Sequence, residues 1–553
     1  MKLKKITALV LSAFMAVSMV GCGASNKSND TNKNKEQSSS QGQNVQLLKI
    51  GTTAPVDTFN IMMESGVYGK MNYNSFSAAP FLELDNEGKI QPHIMTKWDI
   101  AEDQKSLVAT FATDKGVKWH DGKPLTIDDV IFTFNFLKDV KKSGYVNTLE
   151  SVEKISDTEL KLKFSTPAAF SMLNKIARFC YVYPKHVWEK VENYKEYQGE
   201  DAYIGCGPYK VTNIDKEAQT VTYESVGEYF KGKLTVDKVL VKSYDSHDSL
   251  VMGLRNGEVD TMYDYSNSLN ATMKPSITGV NSLDAGMTTN PGHFQMVFGF
   301  NENPTKDIQF RKAVASALDY KLLATSIGGE DGEIAGTGIV SPVVKGFDKA
   351  LPKNATDIEK SKKILDDAGY KDVDGDGFRE QPNGEKLNVL VSPQFNKTRS
   401  ALYLRICEIT IENLKTVGVK GVLDEESVRN SDYASEFRKS GKYQIYIGYT
   451  SPGVALYDAA FMYMVPSVNN PWGTCSDEKF VKAYEALMNS ASYDDYDKNM
   501  KTLQKLASDD IIGIGLCWDK AYFPYRTDKY EGWNNYSGWG TVNCETWYNL
   551  KTK

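Results

Sequence analysis

An α/β protein of more than one lobe is the fold class this sequence predicts, and three observations predict it. The chain has 553 residues, too many for one ordinary core and enough for two to four compact units. Its apolar positions alternate at period two in some stretches and recur at helical spacing in others, the two types following one another along the chain. The first 45 residues read as an export signal and a tether, which leaves the rest to form the folded body.

Lys2, Lys4 and Lys5 precede the apolar run "ITALVLSAFMAVSMV" and then Gly21-Cys22. A positive start, a short apolar segment and a small residue at the cleavage point predict a signal peptide over residues 1–21. The run is shorter than the roughly 20 apolar residues a membrane span needs. "MVGC" resembles a bacterial lipobox, with Met19 where Leu is commonest, and that resemblance implies that Cys22 becomes the lipidated mature terminus. An uncleaved anchor with an incidental cysteine is the alternative. Residues 22–45 continue in Ser, Asn, Gln, Lys and Gly with almost nothing to bury, the composition of a disordered tether.

Within the body, "ELKLKF" alternates Leu160, Leu162 and Phe164 as a half-buried strand would, and "HFQMVFGF" alternates Phe294, Met296, Phe298 and Phe300. "YQIYIGY" and "DIIGIGLC" are short apolar runs that predict buried strands. Arg311, Val314, Leu318 and Leu322 share one helical face, as do Leu404, Cys407, Ile411 and Leu414, and then Phe480, Tyr484 and Leu487. No repeat of solenoid period is present.

Catalytic and metal-binding patterns are scarce. A net charge of −6 gives no basic excess for nucleic acid. The histidines at 93, 120, 186, 247 and 293 show no paired ligand spacing. His120-Asp121 in "KWHDGKP" sits on a turn, where adjacent residues rarely face one another. "GEYFKGKL" nearly matches a phosphate loop, but Leu234 stands where a Ser or Thr would hold magnesium. There is no GxSxG elbow. The six cysteines after Cys22 lie far apart and argue for no particular pair. "DVDGDG" from Asp372 opens like a calcium loop, yet Asn383 occupies the place of the bidentate Glu and Pro382 obstructs the exit helix. An exported, tethered protein of several lobes without such machinery is expected to capture a solute between lobes, with no cofactor and no metal.

Several stretches, read in order, resemble the extracellular solute-binding proteins of family 5, the oligopeptide, dipeptide and nickel binders of ABC importers. "GVKWHDGKPLTIDDVIFTF" is similar to the family's most recognisable segment, and "GCGPYKV" to its "GTGPYKV", with Cys206 in place of Thr. "VGEYFKGKLTVDKV", "LRNGEVD", "FNENPTKDIQFRKAVASALDY", "LKTVGVKGVL" and "GTCSDEKFVKAYEAL" follow in family order, and "DDAGYKDVDGDGFRE" resembles its turn between a helix and the next strand. The resemblance implies a two-lobed periplasmic-binding-protein-like clamp of type II with an extra domain. Lobe I would take 46–88, 203–294 and 520–553, the additional domain 89–202, and lobe II 295–519. It further implies a monomer that holds peptide in the cleft and hands it to permease subunits. That body would be lipid-anchored on the extracytoplasmic face, outside the plasma membrane of a Gram-positive cell or in a periplasm.

For the cleft, the resemblance points to Tyr449, Thr450 and Ser451 at a strand end, and then to Gln295, Asn301 and Trp472. The acid that relatives use for a peptide ammonium falls on Pro452, the next acid being Asp458, and Ala459 and Ala460 stand where nickel binders tend to have His. Arg405 lies where dipeptide binders hold a ligand carboxylate; a solvent-facing helix charge is its other reading. A non-peptide solute (an oligosaccharide or a metallophore) and the sensing of a peptide signal remain open alternatives.

Overall fold

A computed structural model describes residues 44–56, 60–62, 76–177, 180–264, 268–269, 271–396, 399–450, 456–457, 463, 475–537 and 539–553. Cys22, Ser451 and Trp472, with Pro452, Asp458, Ala459 and Ala460, lie outside the described residues. All described residues fall in the unit that spans residues 42–553.

Three larger sheets organise that unit. A seven-stranded sheet runs, from one edge, through Leu283–Thr289 (β1), Lys520–Arg526, Thr261–Met262, Leu48–Thr52, Lys238–Ser243, Thr220–Ser225 and Tyr209–Asp215. A five-stranded sheet has the order Lys420–Leu423, Asn388–Pro393, Ile445–Thr450, His293–Phe298, Gly513–Cys517. The third, four-stranded and antiparallel, contains Met95–Ile100, Ser106–Phe111, Glu159–Phe164 and Leu149–Lys154. In it "ELKLKF" alternates as predicted, with Leu160, Leu162 and Phe164 turned into the core.

The chain crosses between the first two sheets twice. β1 is followed after three residues by His293–Phe298 (β2) of the five-stranded sheet. Ile445–Thr450 (β3) and Gly513–Cys517 (β4) flank β2, both antiparallel to it. From β4 the chain returns through Trp518 and Asp519 to Lys520–Arg526 (β5), which pairs with β1 along its whole length. The crossings lie side by side, the Asn290 N–H donating to Asp519 O at 3.3 Å.

Every residue of β2 and of β4 is buried, as in strands covered on both faces. Phe294, Met296 and Phe298 pack against the helices Ile308–Ala317 (α2), Tyr320–Gly328 (α3) and Ser400–Thr416 (α4), while His293, Gln295 and Val297 point to the opposite face. The single helical stripe expected from Arg311 to Leu322 is two helices. Leu318 turns extended (φ −70°, ψ 135°), and the Asp319 carboxylate accepts the Leu322 N–H as the cap of α3. An aspartate that can satisfy an orphan N–H ends one helix and starts the next, which apolar spacing alone does not reveal. Ala169–Ile176 (α1) precedes these helices, and Phe480, Tyr484 and Leu487 share the buried face of a later one, Glu478–Met488 (α5), as expected.

Other motifs resolve locally. The near phosphate loop is a hairpin, Glu228–Tyr229 pairing with Gly232–Lys233. His120 Nε2 meets Gly207 O at 3.0 Å while Asp121 pairs with His186 at 2.8 Å, so the two neighbours face different partners. The "DVDGDG" stretch is a turn in which Asp372 accepts the N–H groups of Gly375 and Gly377. The carboxylates of Asp372, Asp374 and Asp376 lie within 4.8 Å of one another, and the Lys386 ammonium ties Asp374 and Asp376 to Glu380.

Candidate functional site

The double crossing gathers polar side chains where two sheets meet. Asn290, the first residue after β1, donates from Nδ2 to Asp519 Oδ1 and to the Tyr449 hydroxyl, both at 2.9 Å. Its Oδ1 accepts the Gly292 N–H, a local bond that fixes the turn into β2. Arg399, just before α4, lies with its guanidinium 4.7 Å from the Tyr449 ring centre. Its Nη2 donates to Ser268 O at 3.0 Å, reaching from the five-stranded sheet's surroundings to those of the seven-stranded sheet. At the C-terminal end of β3, the Gln295 amide donates to Thr450 Oγ1 at 2.6 Å.

The electrostatics of this cluster are strongly biased by burial. Burial pushes the Asp519 carboxyl up to about 6, against the pull of Arg399 and the Asn290 hydrogen bond. Burial works against the Arg399 charge too, but Tyr449, Tyr403 and Asp519 together outweigh it and hold the guanidinium charged. Burial raises the Tyr449 hydroxyl, so it stays protonated. His293, 0% exposed, is held neutral by burial with a pKa of about 4. Among the described residues, both ring nitrogens of His293, Gln295 Oε1 and Arg399 Nε are buried without a hydrogen-bond partner. Unsatisfied buried groups are costly, and several at one strand end mark a place for polar contacts beyond those that the described residues supply.

Of the residues the sequence pointed to, Tyr449, Thr450 and Gln295 come together here. Arg405 does not: its side chain is 52% exposed on α4, 3.6 Å from Glu408. The buried residues of α4 are Tyr403, Ile406, Cys407, Ile409, Thr410 and Leu414, which turns Arg405 to solvent. Asn301 is exposed beyond the far end of β2, three residues past Phe298. Asn290, Arg399, Asp519 and His293 escaped the sequence reading. The helical wheel of α4 would have ruled out Arg405, but nothing local marks Asn290 and Asp519, which lie 229 residues apart.

A separate cavity of about 90 Å³ is walled by Phe76, Tyr229, Tyr263, Trp539, Trp547 and Tyr548. It is well below the ~300 Å³ at which ligand pockets begin, and too small for a peptide. Among the described residues no helix is long and apolar enough to cross a membrane.

Comparison with known proteins agrees with this geometry. Residues 89–472 match the family described as bacterial extracellular solute-binding proteins, family 5 Middle. The oligopeptide-binding protein AppA of Bacillus subtilis is 29% identical over 446 residues, covering 76% of each chain. The solved structure of AppA from Bacillus subtilis in complex with a nonapeptide superposes with a TM-score of 0.74 at 19% identity, over 92% of this chain and all of that one. The ABC transporter substrate-binding protein CtaP of Listeria monocytogenes gives a TM-score of 0.75 at 21% identity, again over 92% and 100%. With its α/β sheets joined by a double crossing and a family match over most of its length, the chain belongs to the bacterial extracellular solute-binding proteins of family 5, as a binding protein and not an enzyme.

Proposed function

We propose that this protein captures oligopeptides or dipeptides between the parts that carry the seven-stranded and five-stranded sheets, and delivers them to the permease of an ABC importer. The observation that carries the reading is the polar cluster at the double crossing, where orphaned donors and acceptors surround the end of β3. Two adjacent crossings form a hinge between lobe I (46–88, 203–294, 520–553) and lobe II (295–519), with 89–202 as the additional domain. Ligand supplies contacts available only when the lobes close and shifts the hinge equilibrium accordingly. Tyr449, Thr450 and Gln295 line the cleft. Main-chain pairing with the peptide backbone, as in strand addition, supplies affinity, with the side chains left to roomy pockets. The names of the relatives support a peptide ligand.

Lipid on Cys22 holds the body, as a monomer, to the outer face of the plasma membrane or within a periplasm. Thermal-shift titration against peptides, N-acetylated peptides, oligosaccharides and nickel tests the ligand class. A strong shift with peptides is expected, and a shift with oligosaccharide or nickel alone would sink the peptide reading. Intact mass of the membrane-extracted protein reads the lipid, and an unmodified terminus would remove the anchor.

A further inference from the structure

The aromatic cavity lies where two cores meet. Ala78, Leu84 and Tyr181 in its wall belong to the core of the four-stranded sheet, while Phe76, Tyr229 and Trp547 belong to that of the seven-stranded sheet. Among the described residues that line it, eight are Phe, Tyr or Trp and Glu83 is the one carboxylate. Tyr536, Trp539, Cys544 and Tyr548 are only half-buried, so this side of the cavity reaches the surface.

Most other polar atoms of the wall are committed elsewhere. The Tyr229 hydroxyl donates to Cys206 O at 2.9 Å, the Tyr536 hydroxyl to Glu545 Oε1 at 2.6 Å, and the Asn543 amide to Asn534 O and Gly540 O. His93 donates from Nδ1 to Pro80 O at 3.0 Å, and burial keeps its ring neutral. Burial above all, with the Glu83 carboxylate adding to it, pushes the Cys544 thiol up to about 12 and raises the Tyr229 and Tyr548 hydroxyls, so all three stay protonated. Lys231 pairs with Glu83 Oε2 from outside the wall, and at Cys544 the effect of the carboxylate exceeds that of the lysine. Glu83 Oε1 faces His93 Nε2 at 3.5 Å, beyond a good hydrogen bond.

Aromatic rings biased by one carboxylate suit a cation, since ring quadrupoles attract positive charge most where water is excluded. A bare ammonium or a metal ion would give up strong hydration and find few acceptors in exchange. A methylated ammonium is weakly hydrated and asks for ring contact instead. The cavity's 90 Å³ equals the share of about three liquid waters. That is small for a drug-sized ligand and sufficient for a compact head group of a few heavy atoms.

We propose that this cavity is a second binding site, which takes a compact methylated ammonium cation among its rings with Glu83 as the counter-charge. The site stands apart from the peptide reading: none of the residues gathered at the double crossing lines it.

The test is calorimetric titration of the full chain with tetramethylammonium and choline, against dimethylbutanol (the uncharged carbon isostere of choline). Choline is expected to bind at least tenfold more tightly than its isostere. Glu83→Gln is expected to lose that preference. Lys231→Met, which frees the carboxylate from its partner, is expected to bind choline a few-fold more tightly. Both variants break the same ion pair, so opposite effects separate recognition from damage to the fold. Tyr548→Leu removes a ring from the surface side and is expected to weaken both cations. Phosphocholine in the same titration distinguishes a lipid head group, which carries the phosphate, from a free solute, and binding of either upholds the site. No binding of the cations, or equal affinity for choline and its isostere, overturns the assignment. So does a like weakening in Glu83→Gln and Lys231→Met, or unchanged binding in Tyr548→Leu.

Discussion

Replacing Arg399 with Met removes the positive charge that faces Asp519 and the cation that lies over Tyr449, while keeping most of the side-chain volume. Breaking a buried ion pair in direct contact costs about 3–5 kcal/mol; Arg399 and Asp519 act on one another through space without a direct bridge, so the loss here is expected below that range. The size of the loss depends on pH, and the direction follows from Asp519. Its folded-state pKa of about 6 is above the ordinary 3.8, so the folded protein holds this proton more tightly than the unfolded chain. The corresponding stability is fully present below about pH 3.8 and is lost as pH rises through 6. Two units correspond to about 3 kcal/mol. Without Arg399 the carboxyl rises further; the wild type already loses about one unit of this linkage between pH 5 and pH 7 and the variant at most two, so Arg399→Met should cost about 1 kcal/mol more at pH 7 than at pH 5. Urea unfolding at both pH values measures it, with Asp519→Asn and the double variant completing a cycle. Asp519→Asn should be neutral or stabilising at pH 7 and should erase most of the cost of Arg399→Met. A cost independent of pH, or a coupling below about 0.5 kcal/mol, would refute the pairing.

Arg405→Ala should change the urea midpoint and peptide affinity negligibly, within about 0.5 kcal/mol, as expected for an exposed helix charge. Phe298→Ala, which empties the core beneath β2, should lose about 3–5 kcal/mol in the same unfolding assay. Gly299→Ala would place a Cβ 1.8 Å from Tyr443 O, so that β2 and the approach to β3 must move apart. A drop of several degrees in Tm is expected on scanning calorimetry, and an unchanged Tm would show that this close approach is absent.

What could be read in the sequence was what short-range periodicity carries. Leu160, Leu162 and Phe164 alternate because one face of an antiparallel sheet is buried, and β2 announced itself by the same pattern although both its faces are covered. Phe480, Tyr484 and Leu487 repeat at the spacing of one helix face. The break at Asp319 was hidden because a capping carboxylate looks like any other polar residue inside an amphipathic run. The site was half legible. Tyr449, Thr450 and Gln295 lie on strands whose order along the chain is characteristic of the family. Asn290, Arg399 and Asp519 meet only after some 230 residues of chain have folded between them. Arg405 points away from the cluster for a related reason: a resemblance locates a segment to within a turn or two of helix, and only the burial of Tyr403, Ile406 and Cys407 says which way Arg405 points.

A crystal structure of the protein with a bound oligopeptide shows most directly whether ligand is held where the two crossings meet, beside the end of β3. Peptide density is expected against Tyr449, Thr450 and Gln295, with the lobes closed over it. Peptide bound elsewhere, for instance against Trp539 and Trp547 at the aromatic cavity, would contradict it.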